Sequence, residues 1–316
     1  MHPAYSVILF TTTSGAGLGL LAWLGAYAGL GLLAPNWALA VLALGAAFLL
    51  VTIGLVFSTF HLGRPARAWR AFGQWRSSWL SREGIVAVAT YVPAAFLAYG
   101  WGWLESPGAV WRLSGLAAAA LALLTVYCTA MIYASLKTIR HWHHPLVAPV
   151  YLALALATGG LLLQALLFVH GSALRPLALL LLAVLIVSLM LKRAYWTAVD
   201  NARRSYTVEA ATGLGKLGRV RPLDPPHTQP NFVMREMGYK VARKHALRLR
   251  RAVLLVTFLI PIALTLVTVL LPGRGVGTFA ALLAFVSSMA GVALERWLFF
   301  AEAEHVSMLY YGAQAA

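Results

Sequence analysis

Eight long apolar runs divided by short polar connectors make up most of the chain, at about 6–33, 38–60, 84–104, 113–136, 149–170, 176–196, 252–271 and 278–299. Each approaches or exceeds the roughly 20 residues that carry a helix across a hydrocarbon core. No segment of about ten residues alternates cleanly, as a lipid-exposed barrel strand would. The pattern therefore predicts an all-α integral membrane protein, an eight-transmembrane-helix bundle. Connectors such as Ala34-Pro35-Asn36 suit helical hairpins. The outlier is 197–251, where GLGKLGRVRPLDPPHTQPN contains too much glycine and proline for one continuous helix. It reads as a long extramembrane insertion in a single domain spanning 1–316. The first run begins just after Met1 without a basic leader and exceeds a 7–15-residue signal core, so it is expected to be a retained span.

Composition reinforces the membrane reading. The chain is 61% hydrophobic and 11% charged, with mean hydropathy +0.78, against about 25% charged residues in soluble domains. Its single cysteine, Cys128, excludes an internal disulfide framework and a cysteine-ligated iron–sulfur cluster within this chain. The 25 lysines and arginines are divided unequally. Five lie in 61–83, two in 137–148 and fourteen in 192–251; with Arg296, twenty-two fall on one side, leaving Arg112, Arg175 and Arg274 on the other. Setting the fourteen of 192–251 aside leaves eight against three, and cytoplasmic connectors carry the excess of such residues. Both termini are expected on the cytoplasmic side. The positive charge follows membrane edges, which points to anionic lipid or an acidic partner and not to nucleic acid.

Candidate chemistry concentrates in STFHLGRPARAWRAFGQWRSSWLSREG, 58–84, between the second and third apolar runs. His61 can exchange a proton near neutral pH, or can cap a helix end or bind lipid phosphate. Glu83 can accept protons beside it, pair with Arg64 or Arg82, or simply favour the helix N-terminus electrostatically. Arg64, Arg67, Arg70, Arg76 and Arg82 fit headgroup contacts and topology signals, and can also grip partner carboxylates. Trp69, Trp75 and Trp79 suit interfacial anchoring and could wall a flat ring. Tyr127 and Tyr133 lie toward the basic end of the fourth run; Tyr133 and Lys137 are four apart and share a helical face. Lys137 fits a snorkelling end residue. His141-Trp142-His143-His144 resembles a metal site in composition only. A transmembrane two-haem site would need axial residues at two depths, and His170 alone sits at the far edge. Ser14-Gly15-Ala16-Gly17-Leu18-Gly19, inside an apolar run, fits close helix packing and not a dinucleotide loop.

Three segments carry a family resemblance: STFHLGRPARAWRAF (58–72), SSWLSREG (77–84) and TVYCTAMIYASLKTIRHWHHP (125–145). With the MHPAYS opening and eight spans, they resemble the membrane anchor subunit of the dimethyl sulfoxide reductase family. RVRPLDPPHTQPNFVMREMGYKVARKH (219–245) is similar to anchors of the related membrane sulfite dehydrogenases. The resemblance implies a haem-free anchor in the bacterial inner membrane. Its partners would be a molybdopterin catalytic subunit and an iron–sulfur electron-transfer subunit, with electrons exchanged with quinone or quinol. It assigns His61 and Glu83 to that chemistry. The expected quinone contacts are His61, Arg64, Trp79, Arg82, Glu83, Tyr127 and Tyr133, where helices two, three and four end; Arg67, Arg70, Arg76 and Lys137 are expected to dock the partner. The competing readings are a solute transporter, which would place binding groups near the midplane, and a purely structural anchor.

Overall fold

The computed structural model describes residues 3–60, 63–202, 206–221, 223, 224, 229, 231–237, 241–271 and 273–314. Eight helices among these are long and apolar enough to cross a membrane. They are α1 (Tyr5–Gly29), α2 (Trp37–Phe60), α3 (Trp79–Trp103), α4 (Ala109–Ala134), α5 (Val147–His170), α6 (Arg175–Asn201), α7 (His245–Leu270) and α8 (Arg274–Ala301). The expected all-α bundle is what the chain forms. Between α6 and α7 the described elements are short, among them Val208–Thr212 and Phe232–Met237. The insertion is narrower than the expected 197–251, because α6 runs to Asn201 and α7 is already helical at His245.

Buried area singles out α1 and α5 as the inner helices. Helix α1 packs on α2, α4, α5 and α8. The small residues of α1 make that centre possible. A Cβ on Gly19 would lie 1.9 Å from the Ala155 carbonyl oxygen, and one on Gly159 would meet the Gly19 backbone at 2.1 Å. Two backbones in direct contact gain the dispersion and packing that replace a hydrophobic driving force in lipid.

The basic end is closed by the chain's own connectors. Trp142 Nε1 donates to the Phe299 carbonyl at 3.0 Å, and Arg140 donates to the carbonyls of Val199 and Ala202. The segment after α8 returns over the α4–α5 connector, where Val306 N donates to the Thr138 carbonyl. Asn231 Nδ2 of the insertion reaches the Tyr311 hydroxyl at 3.1 Å. Connectors and tail thus brace one another on a single face.

Candidate functional site

The site begins at a helix cap. Ser78 is extended and its hydroxyl accepts from Ser81 N, which starts α3 at Trp79. Starting there, α3 carries Leu80 and Glu83 three residues apart, on neighbouring parts of one face. Glu83 turns inward, only 3% exposed, and is held by the Thr129 hydroxyl of α4. The same hydroxyl lies 3.0 Å from the Thr125 carbonyl. A hydroxyl both donates and accepts, so Thr129 can hold Glu83 as a carboxylate or, by turning toward Thr125, as a carboxylic acid.

One turn outward is a cavity of about 280 Å³, bounded by Phe10, Ser58, Leu80, Tyr133, Trp142 and Phe300. It lies between the ends of α2, α3 and α4, covered by the start of α1 and the end of α8. Its wall is largely apolar, with the Ser58 hydroxyl and Tyr133 phenol as polar points, a composition that receives a flat ring bearing a few oxygens. Tyr133 is fixed by its neighbours, with ring centroids of Trp142 at 5.3 Å and Phe300 at 5.2 Å.

The structure brings only part of the sequence-predicted set to this cavity. Tyr133 lines it, and Glu83 stands behind the Leu80 wall. His61 lies outside the described residues. Trp79 and Tyr127 meet edge to face at 5.9 Å and are not among the described lining residues. Arg82 stacks over Trp79 at 4.3 Å and donates to the Trp75 and Arg76 carbonyls at 2.8 and 2.7 Å, tying the turn to α3. Arg64 and Arg67 are exposed in or beside the 3₁₀ segment Pro65–Gln74. Arg70 and Arg76 lie over Trp69 and Trp75. Lys137 is exposed beyond the end of α4 while Tyr133 is buried, so they do not continue one helical face. The histidine tract braces connectors: His143 Nδ1 meets the Ala134 carbonyl at 2.7 Å and His144 Nδ1 accepts from Leu146 N.

Sequence reasoning missed an ionic centre inside the bundle. Lys192 of α6 pairs with Glu295 of α8, and Arg296 Nε lies 2.7 Å from the other Glu295 oxygen. All three are at most 2% exposed. Arg296 lies flat on the Tyr151 ring, 3.6 Å from its centroid. Removing ions from water costs several kcal/mol each, so charges at such depth mark a functional region by default. The available signal was charge inside the sixth and eighth apolar runs, which a count of charges by side treats as topology alone. A second network sits at the basic face, where Arg250 binds Asp200 at 2.6 Å and Glu302 at 2.9 Å. It borders an open polar pocket of about 250 Å³ that includes His141. Burial, reinforced by the Arg140 charge, pushes the His141 pKa down to about 4.

A family model described as DMSO reductase anchor subunit (DmsC) matches residues 1–312 of the sequence. The C subunit of the sulfite dehydrogenase of Allochromatium vinosum (strain ATCC 17899 / DSM 180 / NBRC 103801 / NCIMB 10441 / D) is 36% identical over 332 aligned positions, covering 100% of both chains.

Proposed function

Since the chain belongs to the dimethyl sulfoxide reductase anchor subunit family, and so is a multi-pass membrane anchor of an oxidoreductase complex, we propose that it is also the complex's quinone-reactive subunit. Its partners on this reading are an iron–sulfur electron-transfer subunit and a molybdopterin catalytic subunit. The observation that carries the proposal is the apolar cavity between the ends of α2, α3 and α4, with the Glu83–Thr129 pair one turn behind it. The whole-length similarity to a sulfite dehydrogenase subunit favours a sulfite-oxidising complex over a sulfoxide-reducing one.

A bound quinone supplies two-electron, two-proton chemistry, with electrons passing to or from the partner's iron–sulfur cluster. Phe10, Leu80, Trp142 and Phe300 exclude water and flank the ring. The Tyr133 phenol donates to a ring oxygen and fixes orientation. His61, three residues beyond the cavity-lining Ser58, exchanges a proton with that oxygen. Glu83 moves a second proton behind the wall, where Thr129 can hold either of its forms. Arg64 carries positive charge at the same edge and opposes developing negative charge.

Filling the cavity is the test. In the purified complex, Leu80→Trp should abolish most quinone-linked turnover while leaving dye-linked catalysis by the partner subunits intact. Unchanged quinone-linked turnover, at matched complex content, would exclude this cavity as the site.

A further inference from the structure

Between the Glu83–Thr129 pair and the buried ionic centre lies a second, much smaller cavity. Its volume is about 20 Å³, enough for one water. Thr12, Thr129, Tyr151, Thr158 and Arg296 contribute to its wall. Thr12 Oγ1 is buried there without a hydrogen-bond partner among the described residues, and the buried Tyr151 hydroxyl and Arg296 Nη1 have at most each other. Buried polar atoms with unused hydrogen-bonding capacity around a void of this size are the setting in which proteins hold internal water, which normally makes about three hydrogen bonds.

The polar groups therefore form a sequence across the bundle. Glu83 meets Thr129, Thr129 borders the small cavity, and Arg296 on its far wall binds Glu295, which binds Lys192. Lys192 Nζ packs 4.7 Å from the centroid of the Trp196 ring, and the Arg250 guanidinium packs on the same ring at 5.2 Å. Arg250, with Asp200 and Glu302, borders the open pocket on the basic face. Stability alone gives little reason for such an arrangement, because hydrophobic residues of similar volume commonly replace a buried ion pair without loss.

We propose that Glu83, Thr129, one water in the Thr12–Tyr151–Arg296 cavity and the Glu295–Lys192 pair form a proton relay between the quinone cavity and the polar pocket on the basic face. This deepens the quinone reading and rests on it. Reduction of one quinone takes two electrons from the partner's cluster and two protons; the relay delivers protons inward through Glu83, and oxidation of quinol runs it outward. At the inner ion pair, transfer from the Lys192 ammonium to the Glu295 carboxylate breaks an N–H bond and forms an O–H bond. The step leaves the net charge of the Lys192–Glu295–Arg296 centre unchanged; the acid's proton goes on to the water beside Arg296, and Lys192 takes a replacement from the side of the basic-face pocket. Thr12, Tyr151 and Arg296 are positioning residues that hold that water.

Two variants of the purified complex test the relay. Thr12→Val removes one water ligand without altering charge or much volume. Lys192→Leu removes the proton donor and leaves Glu295 paired with Arg296, so that no buried charge is stranded. For Lys192→Leu, quinone-linked turnover is expected roughly 10²-fold slower, the lower end of what a lost proton-transfer group costs. Its solvent deuterium isotope effect should rise, azide as a diffusible weak acid should restore part of the rate, and dye-linked turnover should hold. Thr12→Val should move the isotope effect in the same direction, less strongly. Unchanged quinone-linked rates and isotope effects in both variants would overturn the relay. So would equal loss of quinone- and dye-linked activity in Lys192→Leu with no change in Thr12→Val, which would leave a structural role only. A complex that loses quinone-linked turnover with Leu80→Trp but ignores both relay variants fails the relay alone; one that ignores Leu80→Trp fails the quinone reading itself.

Discussion

Glu83 is held by one hydroxyl that can serve either of its protonation states, and it stands behind a cavity wall instead of in it. Glu83→Gln keeps the shape and removes the exchangeable proton, so quinone-linked turnover should fall by roughly 10²-fold, with dye-linked turnover retained; His61→Ala should show the same contrast. Equal quinone-linked rates in wild type and both variants would refute these roles. His141 is a second residue with a definite pH signature. Its folded pKa, about 4, lies below the ordinary value near 6.5, so between those values the unfolded chain binds a proton that the folded chain does not. Its contribution to stability is complete above about pH 6.5 and is lost progressively as pH falls toward 4. Thermal unfolding in detergent should show a falling midpoint across that window, with a shallower fall in His141→Asn; parallel slopes would refute the assignment. Glu83 was legible in the sequence because it is a lone acid at the start of an apolar run. Thr129 was not, since a threonine in a helix carries no sign of the acid it will meet from another helix.

At the scale of elements, the turn between α2 and α3 has no buried residue over Pro65–Gln74. Its arginines divide by geometry. Arg82 is committed to backbone carbonyls, while Arg67, Arg70 and Arg76 remain at the surface. Reversing these three to Glu should release the catalytic subunits from membranes without unfolding the bundle, read as activity in the soluble fraction beside a normal anchor content. A complex that stays attached with the same salt sensitivity would show that docking lies elsewhere. Helix positions were readable from apolar run length, since lipid imposes one length on every span. Which helices lie inside was not. The crossing of α1 and α5 depends on Gly19 and Gly159 meeting across 140 residues of chain, and a glycine gives no sign of which partner it will admit. Tyr133 and Lys137 show the complementary limit, because helical spacing places two residues on one face only while the helix lasts, and α4 stops at Ala134.

For the whole molecule, the uneven charge and the bracing of connectors against the tail give the same face two independent marks. We expect that face to be cytoplasmic. Phe72→Cys and the nearly fully exposed Leu223→Cys should resist an impermeant external reagent in intact cells, and Gly273→Cys in the opposite connector should react; Cys128 is buried and should contribute little background. Labelling of both basic-face sites from outside would reverse the orientation. Counting charges finds this face from sequence because topology sums over residues. The same counting hides the ionic centre, where Lys192 and Arg296 add two more positive charges to the sum although they are the two partners of one carboxylate.

That pairing also sets a timetable for synthesis. Glu295 follows Lys192 by 103 residues, so at ordinary elongation rates α6 waits on the order of 5–20 s for its counter-ion. During that interval the lysine must stay near the headgroups or find a temporary companion, which makes the last helix the latch of the fold. A nascent chain stopped at 271 should be cleared rapidly in pulse–chase, and Lys192→Leu should lengthen its life while doing nothing comparable for the full chain. Equal lifetimes for the two shortened chains would mean that α6 does not wait for α8.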